Sequence, residues 1–278
     1  MALARIGNVD IHYDVTDYTD PWRAADTVLL HHGFARNLQF WREWLPLLAR
    51  DYRVVRIDAR GCGGSAVPPP EAPYTLDVLV RDAVGLMDHL GLERVHWGAE
   101  ASGGHVGLGV ALAHPQRIAT LTLCNTPFQL PKSANDNFSE EEVEKYGLGV
   151  WARRTLPNRI DIDKVTPEWL EWSIAEHDKT PRHIAIAQHA MIAAGNLLPR
   201  LHEVRAPVLV MAGSKSSIAP KEQMTAMQQQ LPNAKLVLFE GYGQGIAFSA
   251  PHRCVAEMRK FLADVRLRDT NPPLYGSS

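Results

Sequence analysis

Cysteine is scarce in this chain. Three residues among 278, Cys62, Cys124 and Cys254, lie far apart and in no CxxC spacing. That excludes a disulfide framework and a cysteine-built zinc site. Long apolar runs are also missing, because acids and histidines break every candidate, and the opening MALARIGNVD has no apolar h-region. Neither a signal peptide nor a membrane span is expected, and the chain reads as a cytoplasmic protein with no membrane partner. Charge of one sign is not in excess: 29 Lys and Arg stand against 31 Asp and Glu. Without a basic field, a nucleic-acid partner is not expected. Repeats and low-complexity stretches are absent. What remains is 45% hydrophobic and 22% charged, a globular composition. Its length suits one large domain, or a domain carrying an insertion.

Two short strand patterns open the chain, around Leu3–Ile6 and Asp10–Val15. The apolar run Thr27–Leu30 follows and ends in His31-His32-Gly33, and a helical pattern from Leu38 to Ala49 sets Trp41, Trp44, Leu45 and Leu48 on one face. Tyr52–Ile57 reads as a buried strand. Thr75 caps an amphipathic helix with Leu76, Leu79, Val80, Ala83, Met87 and Leu90 at helical spacing and Gly91 past its end. Strand, helix and strand recur over Arg94–Ala99, Gly103–His114 and Ile118–Cys124. Short β-branched runs alternating with amphipathic helices predict an α/β protein with a mostly parallel sheet flanked by helices. After Pro127 only helical stretches follow to about Arg200, one opened by the capping box Ser139-Glu140-Glu141-Glu142. The βα rhythm resumes at Pro207–Ala212, with a helix near Lys221–Leu231, a strand Lys235–Phe239 and a helix near His252–Val265, and Asp269–Ser278 reads as a loose tail. An all-helical segment between two strands of such a sheet is a cap, so the expected division is a core of 1–127 and 203–278 and an inserted helical cap of 128–202.

Five local motifs occur in order: His32-Gly33-Phe34, Asp58-Ala59-Arg60-Gly61-Cys62-Gly63-Gly64-Ser65, Gly98-Ala99-Glu100-Ala101-Ser102-Gly103-Gly104, Ala212-Gly213 with Pro220, and Gly241-Tyr242-Gly243. Together with the order of elements they resemble the α/β-hydrolase fold, in the branch of 3-oxoadipate enol-lactonases, carbon–carbon bond hydrolases and related esterases. The resemblance covers roughly residues 9–126 and 203–265. It implies a nucleophile on a strained strand-to-helix turn flanked by small residues. Ala99 and Gly103 are those residues, and the position between them, 101, holds alanine. The acid position is Ser216, the histidine position is Gln244, and the alternative acid site after the sixth strand offers Asn125. A glutamine amide cannot take up a proton at neutral pH, so all three members of the Ser-His-Asp triad are substituted. The oxyanion hole uses backbone N–H groups, which by resemblance are those of Phe34 and Ser102, and these survive side-chain loss.

The ligand implied is a small ester, lactone or enolisable carbonyl compound bound between core and cap, with His32, Glu100, Trp151 and Trp172 as further contacts. Bland readings stand beside these. Ser102 is expected to point its side chain away from the pocket, Glu100 to pack behind the turn, His31 to be a satisfied core histidine, His32 to shape the oxyanion loop and His105 to pack or face solvent. Asp58 and Arg60 read as structural. His177, His183 and His189 tempt a metal reading, but their spacing puts no ligand set on one helical face, so neither metal nor cofactor is expected. Three functional readings follow: an engineered knockout of a serine hydrolase, a natural binding protein, and a cofactor-free enzyme (isomerase, cyclase, decarboxylase or lyase) using the retained oxyanion hole. One substitution would suffice for a knockout, and three speak against it. Nothing in the sequence fixes the oligomeric state, and a homo-oligomer stays open.

Overall fold

A computed structural model describes residues 1–22 and 24–270. Eight strands form one sheet: β1 (Ala2–Ile6), β2 (Val9–Thr16), β3 (Thr27–His31), β4 (Arg53–Ile57), β5 (Val95–Glu100), β6 (Ile118–Cys124), β7 (Val208–Gly213) and β8 (Ala234–Phe239). Their order is β1-β2-β4-β3-β5-β6-β7-β8. Only the two pairings at the β1–β2–β4 edge are antiparallel, and the rest are parallel. The α/β class and mostly parallel sheet read from the alternation are therefore present. Strands β3 and β7 are buried along their whole length, as expected where helices cover both faces. On one face the helices Leu76–His89 and Ser102–Ala113 bury Leu79, Val80, Ala83, Leu86, Val106 and Val110. On the other, Trp41, Trp44, Leu48, Cys254, Met258 and Phe261 pack together with the helix Pro251–Thr270.

The helix read over Leu38–Ala49 is broken. Leu38–Trp41 is a 3-10 turn in which the Gln39 amide donates to the Asn37 side chain at 2.9 Å, and Leu45–Leu48 is a single separate α-turn. Pro46 has no N–H to donate, so it fits only the start of a new turn. The break leaves both Trp41 and Trp44 buried, and the Trp44 indole donates to the Ala247 carbonyl at 2.9 Å. At the other end, Asp269 and Thr270 close the last helix rather than opening a tail, while residues 271–278 lie outside the described residues.

Between β6 and β7 the chain is helical, with its longer helices at Glu140–Tyr146, Leu148–Thr155, Pro167–Asp178 and Arg182–Ala194. Ser139 caps the first of these by accepting from the Glu142 amide at 3.1 Å. This insertion sits over the carboxyl end of the parallel strands. Asp161 from it accepts the Gly243 N–H at 2.9 Å, and Gln188 accepts the Ala35 N–H at 2.9 Å. No helix among the described residues is long and apolar enough to cross a membrane.

Candidate ligand site

Strand β5 runs directly into the helix Ser102–Ala113 through Ala101, whose φ of 47° and ψ of −119° lie where an L-residue is strained. Surrounding bonds hold the turn. The Ala101 N–H donates to the Cys124 carbonyl at 3.0 Å, and the Ala101 carbonyl accepts from the Gly104 N–H at 2.9 Å and the Thr126 hydroxyl at 3.1 Å. Close approach is possible because Gly103 has no side chain: a Cβ there would lie 2.4 Å from the His31 carbonyl oxygen and 2.5 Å from that of His32. Gly103→Ala is accordingly expected to cost ~3 kcal/mol or more, since backbone atoms cannot step aside as a side chain would. Chemical denaturation checks this, and a loss under ~1 kcal/mol would mean that the turn tolerates a wider helix–strand spacing.

The positions 101, 216 and 244 follow three different strands. Ala101 and Gln244 line the same cavity, and the Ser216 hydroxyl donates to the Gln244 side-chain oxygen at 2.5 Å. The Ala219 amide donates to Ser216 at 2.9 Å, and the Gln244 amide nitrogen donates to the Asn125 carbonyl at 2.9 Å. Gln244 is thus fixed in a network of neutral groups, with one of its two N–H bonds used by Asn125. Asn125 holds φ 46° and donates its own amide to Met211. Phe34 and Ser102 also line the cavity. Among the described residues neither of their backbone amides finds an acceptor.

The cavity measures about 290 Å³, near the lower end of small-molecule sites. Its wall is aromatic. Phe34, Phe138 and Trp151 meet edge to face at 5.3 to 5.7 Å between ring centroids, and His189 stacks on Phe138 at 4.0 Å. Leu130, Ile192 and Ile218 complete the apolar lining. Charge is concentrated at one end, in Arg36, Glu100 and Arg159. Arg36 donates to Glu100 at 2.5 Å, with both side chains almost fully buried. The Glu100 carboxylate lies hard against Gly33, where a Cβ would stand 2.1 Å from its oxygen. Arg159 lays its guanidinium 4.0 Å over the Trp151 ring. Burial first and Arg36 second push Arg159 down to about 9, so it stays a cation at neutral pH.

The buried histidines divide by partner. His31 donates to the His32 carbonyl (2.9 Å) and stacks on Trp97. His32 donates from Nδ1 to the Gly33 carbonyl (2.8 Å) and accepts the Ala59 N–H at Nε2 (3.0 Å). Burial lowers these two rings to about 4 and about 3, so both are neutral. His105 donates to the Pro127 carbonyl at 2.6 Å. His177 gives Nδ1 to the Ser173 carbonyl and leaves Nε2 unpartnered. His189 also has an unpartnered, sealed Nε2, and burial lowers its pKa.

The expected contacts therefore separate. Glu100 and Trp151 line the cavity, together with Ala101, Ser102, Phe34 and Gln244. His32 does not, because both of its nitrogens are committed to the loop backbone. Trp172 does not either: its ring lies 4.7 Å from that of Phe40, under the Arg42 guanidinium. His105, given a packing or surface role from the sequence, is buried and reaches the cavity. Asp58 and Arg60 are structural, the first accepting from the Leu38 and Gly64 amides and His12, the second paired with Asp82 through two 2.6 Å bonds. Sequence reasoning missed Arg36 and Arg159, and it weighed His189 only for a metal, not for the cavity wall it joins. Arg159 follows Arg153 and Arg154, both exposed, and no spacing sets it apart. Among the described residues no three His, Cys, Asp or Glu converge as a metal site.

Residues 26–151 match the α/β-hydrolase fold family, and residues 194–272 match the TAP-like protein family. A Caulobacter segnis protein provisionally named carbamate hydrolase RutD is 27% identical over 266 residues, spanning 92% of this chain and 98% of its own. Among solved structures, a hydrolase from Pseudomonas aeruginosa PA01 is 27% identical with a TM-score of 0.84 over 94% of this chain and 97% of its own. The enol-lactonase of Burkholderia xenovorans LB400 superposes with a TM-score of 0.86 over 94% of this chain and 100% of its own, at 24% identity, and so shares the fold.

Proposed function

Because the chain belongs to the α/β-hydrolase superfamily, we propose that it binds a small ester, lactone or enolisable carbonyl compound between its core and a helical cap. We further propose that it does not act as a serine hydrolase. In this reading Ala101, Ser216 and Gln244 occupy the nucleophile, acid and base positions. One observation carries it: alanine sits in the strained turn, while a neutral Ser216–Gln244 hydrogen bond takes the place of a carboxylate–imidazole pair. A methyl group cannot attack a carbonyl, and an amide cannot accept its proton. Loss of a whole triad costs about a millionfold in rate, and an oxyanion hole with binding retains roughly a thousandfold over water. In this reading the Ser102 amide, at a helix N-terminus, and the Phe34 amide, on the loop after β3, serve as the oxyanion donors of the cavity they both line. Gln244 has a second N–H to offer beside them.

A second reading, cofactor-free non-hydrolytic catalysis, is favoured by His189. Its imidazole is neutral, lines the same cavity and has no hydrogen-bond partner at Nε2. A neutral imidazole in the wall of a carbonyl-binding cavity is suited to removing a proton beside the carbonyl if its Nε2 is uncovered on binding.

The hydrolase question is tested by a fluorophosphonate probe, which needs an activated serine. Ser102 is the one candidate in the turn, and His105, one helical turn away, gives its Nε2 to Pro127. No labelling is expected under conditions that label an active serine esterase fully. Stoichiometric labelling at Ser102 would overturn the reading and identify a relocated nucleophile.

A further inference from the structure

Burying a cation without a partner is expensive, and folded proteins pair such groups or hold them for a ligand. Arg159 is nine-tenths buried and lines the cavity, yet among the described residues its guanidinium makes no hydrogen bond, and Nε and Nη2 are both sealed from solvent without an acceptor. Sealed in this way, those two atoms cannot be touched from the cavity, which leaves Nη1 as the guanidinium nitrogen available to a ligand.

Two guanidinium groups, Arg36 and Arg159, meet one carboxylate, Glu100, and Arg36 is the one that takes it. The Glu100 oxygen facing away from Arg36 is itself unpartnered. One positive charge is left over at this end of the cavity. No other acid lines the cavity to offset it. Glu176, the buried acid of the helical segment between β6 and β7, is engaged by Asn37 at 2.7 Å and Lys179 at 2.5 Å. The neutral His177 ring cannot compensate a cation by charge.

We infer that Arg159 is the anion-binding residue of this cavity and that the ligand is a small monocarboxylate with an apolar body. The inference rests on the proposed carbonyl-binding reading only for the second polar group of that ligand. The carboxylate accepts from Arg159, the apolar body lies against Phe34, Phe138 and Trp151, and an uncharged carbonyl meets the Phe34 and Ser102 amides and Gln244. One net charge selects a monoanion, since a second carboxylate would meet only the paired Arg36. The Trp151 face under the guanidinium holds Arg159 in place.

The test is calorimetric titration and thermal shift with four probes: 4-oxo-4-phenylbutanoate, its primary amide, 4-phenylbutanoate and butyrophenone. They are applied to the wild type, Arg159→Met and Arg159→Lys at pH 7.5. The oxo acid is expected to bind at least tenfold more tightly than its amide. Arg159→Met should erase that preference, and Arg159→Lys should keep part of it. The Tm of ligand-free Arg159→Met should equal or exceed that of the wild type, because an unpaired buried charge has been replaced by an apolar chain of similar length. Acid and amide binding equally to the wild type would overturn the anion site, as would a Tm loss of several degrees in ligand-free Arg159→Met, which would make the residue structural. The carbonyl reading is separated by the other two probes. If 4-phenylbutanoate binds as tightly as the oxo acid and depends on Arg159, the anion site stands and the carbonyl contact falls. If butyrophenone binds as tightly as the oxo acid, the carbonyl contact stands and the anion site falls. Failure of all four probes overturns both.

Discussion

Ala101→Ser, Gln244→His and Ser216→Asp combined are expected to raise p-nitrophenyl acetate turnover at pH 7.5 by ~10³-fold or more over wild type, while each change alone stays within about tenfold. A serine without a base is a poor nucleophile, and a base without a serine has nothing to activate. The surroundings are suited to all three. The turn at 101 already has φ 47° and ψ −119°. The Ala219 amide points at the position 216 hydroxyl and would donate to a carboxylate placed there. The 2.5 Å contact between Ser216 and Gln244 sets the distance over which such a carboxylate would orient an imidazole. Steady-state kinetics on wild type, three single variants and the triple variant decide the matter. A wild type as fast as the triple variant would mean that a working site exists elsewhere in the chain. A folded triple variant at background would mean that the cavity no longer presents an ester to position 101.

Acid should unfold this protein well above the pH at which carboxylates titrate. Burial is the main cause lowering His31 to about 4 and His32 to about 3, and it also lowers His105 and, more strongly, His177, where Arg159 and Arg36 add to it. A histidine whose folded pKa is depressed favours the native state fully above its unfolded value of ~6.5, and that advantage is lost as pH falls toward the folded value. In that interval the unfolded chain binds more protons than the native one. By pH 4.5, His31 and His32 each forfeit about 2–3 kcal/mol, against a total stability of ~5–15 kcal/mol for a typical domain. Asp58 acts in the opposite sense, since burial raises its pKa and the folded state takes up its proton first. One carboxylate does not offset four histidines. The Tm is expected to hold from pH 8 to about 6.5 and then fall steeply, with unfolding at room temperature near pH 4.5–5. A Tm unchanged between pH 7 and 5 would show that these rings are hydrated or already protonated in the native protein.

The sequence alone settled the class of sheet, because strand and helix periodicities differ and their alternation admits few topologies. The identities Ala101, Ser216 and Gln244 are likewise read directly from the chain, while their equivalence to triad positions belongs to the proposed function. The helical character of 128–202 was equally plain from the end of the βα rhythm. Other features depended on packing. The helix expected over Leu38–Ala49 is split into a 3-10 turn and a separate α-turn, and Pro46, which lacks an N–H, suits the start of the second. His32 and Trp172, expected at the ligand, were turned elsewhere by the loop backbone and by Phe40 and Arg42. Arg159 carries no signal in its neighbourhood: Arg153 pairs with Glu171 and Arg154 with Glu142 on the surface, while five residues on the same side-chain type is sealed beside Trp151 and Arg36. Local pattern reports which face of an element is apolar. Whether a charge on that element meets water, a partner or a cavity depends on residues far away in the chain, here Arg36 and Glu100, and only the folded structure brings them together.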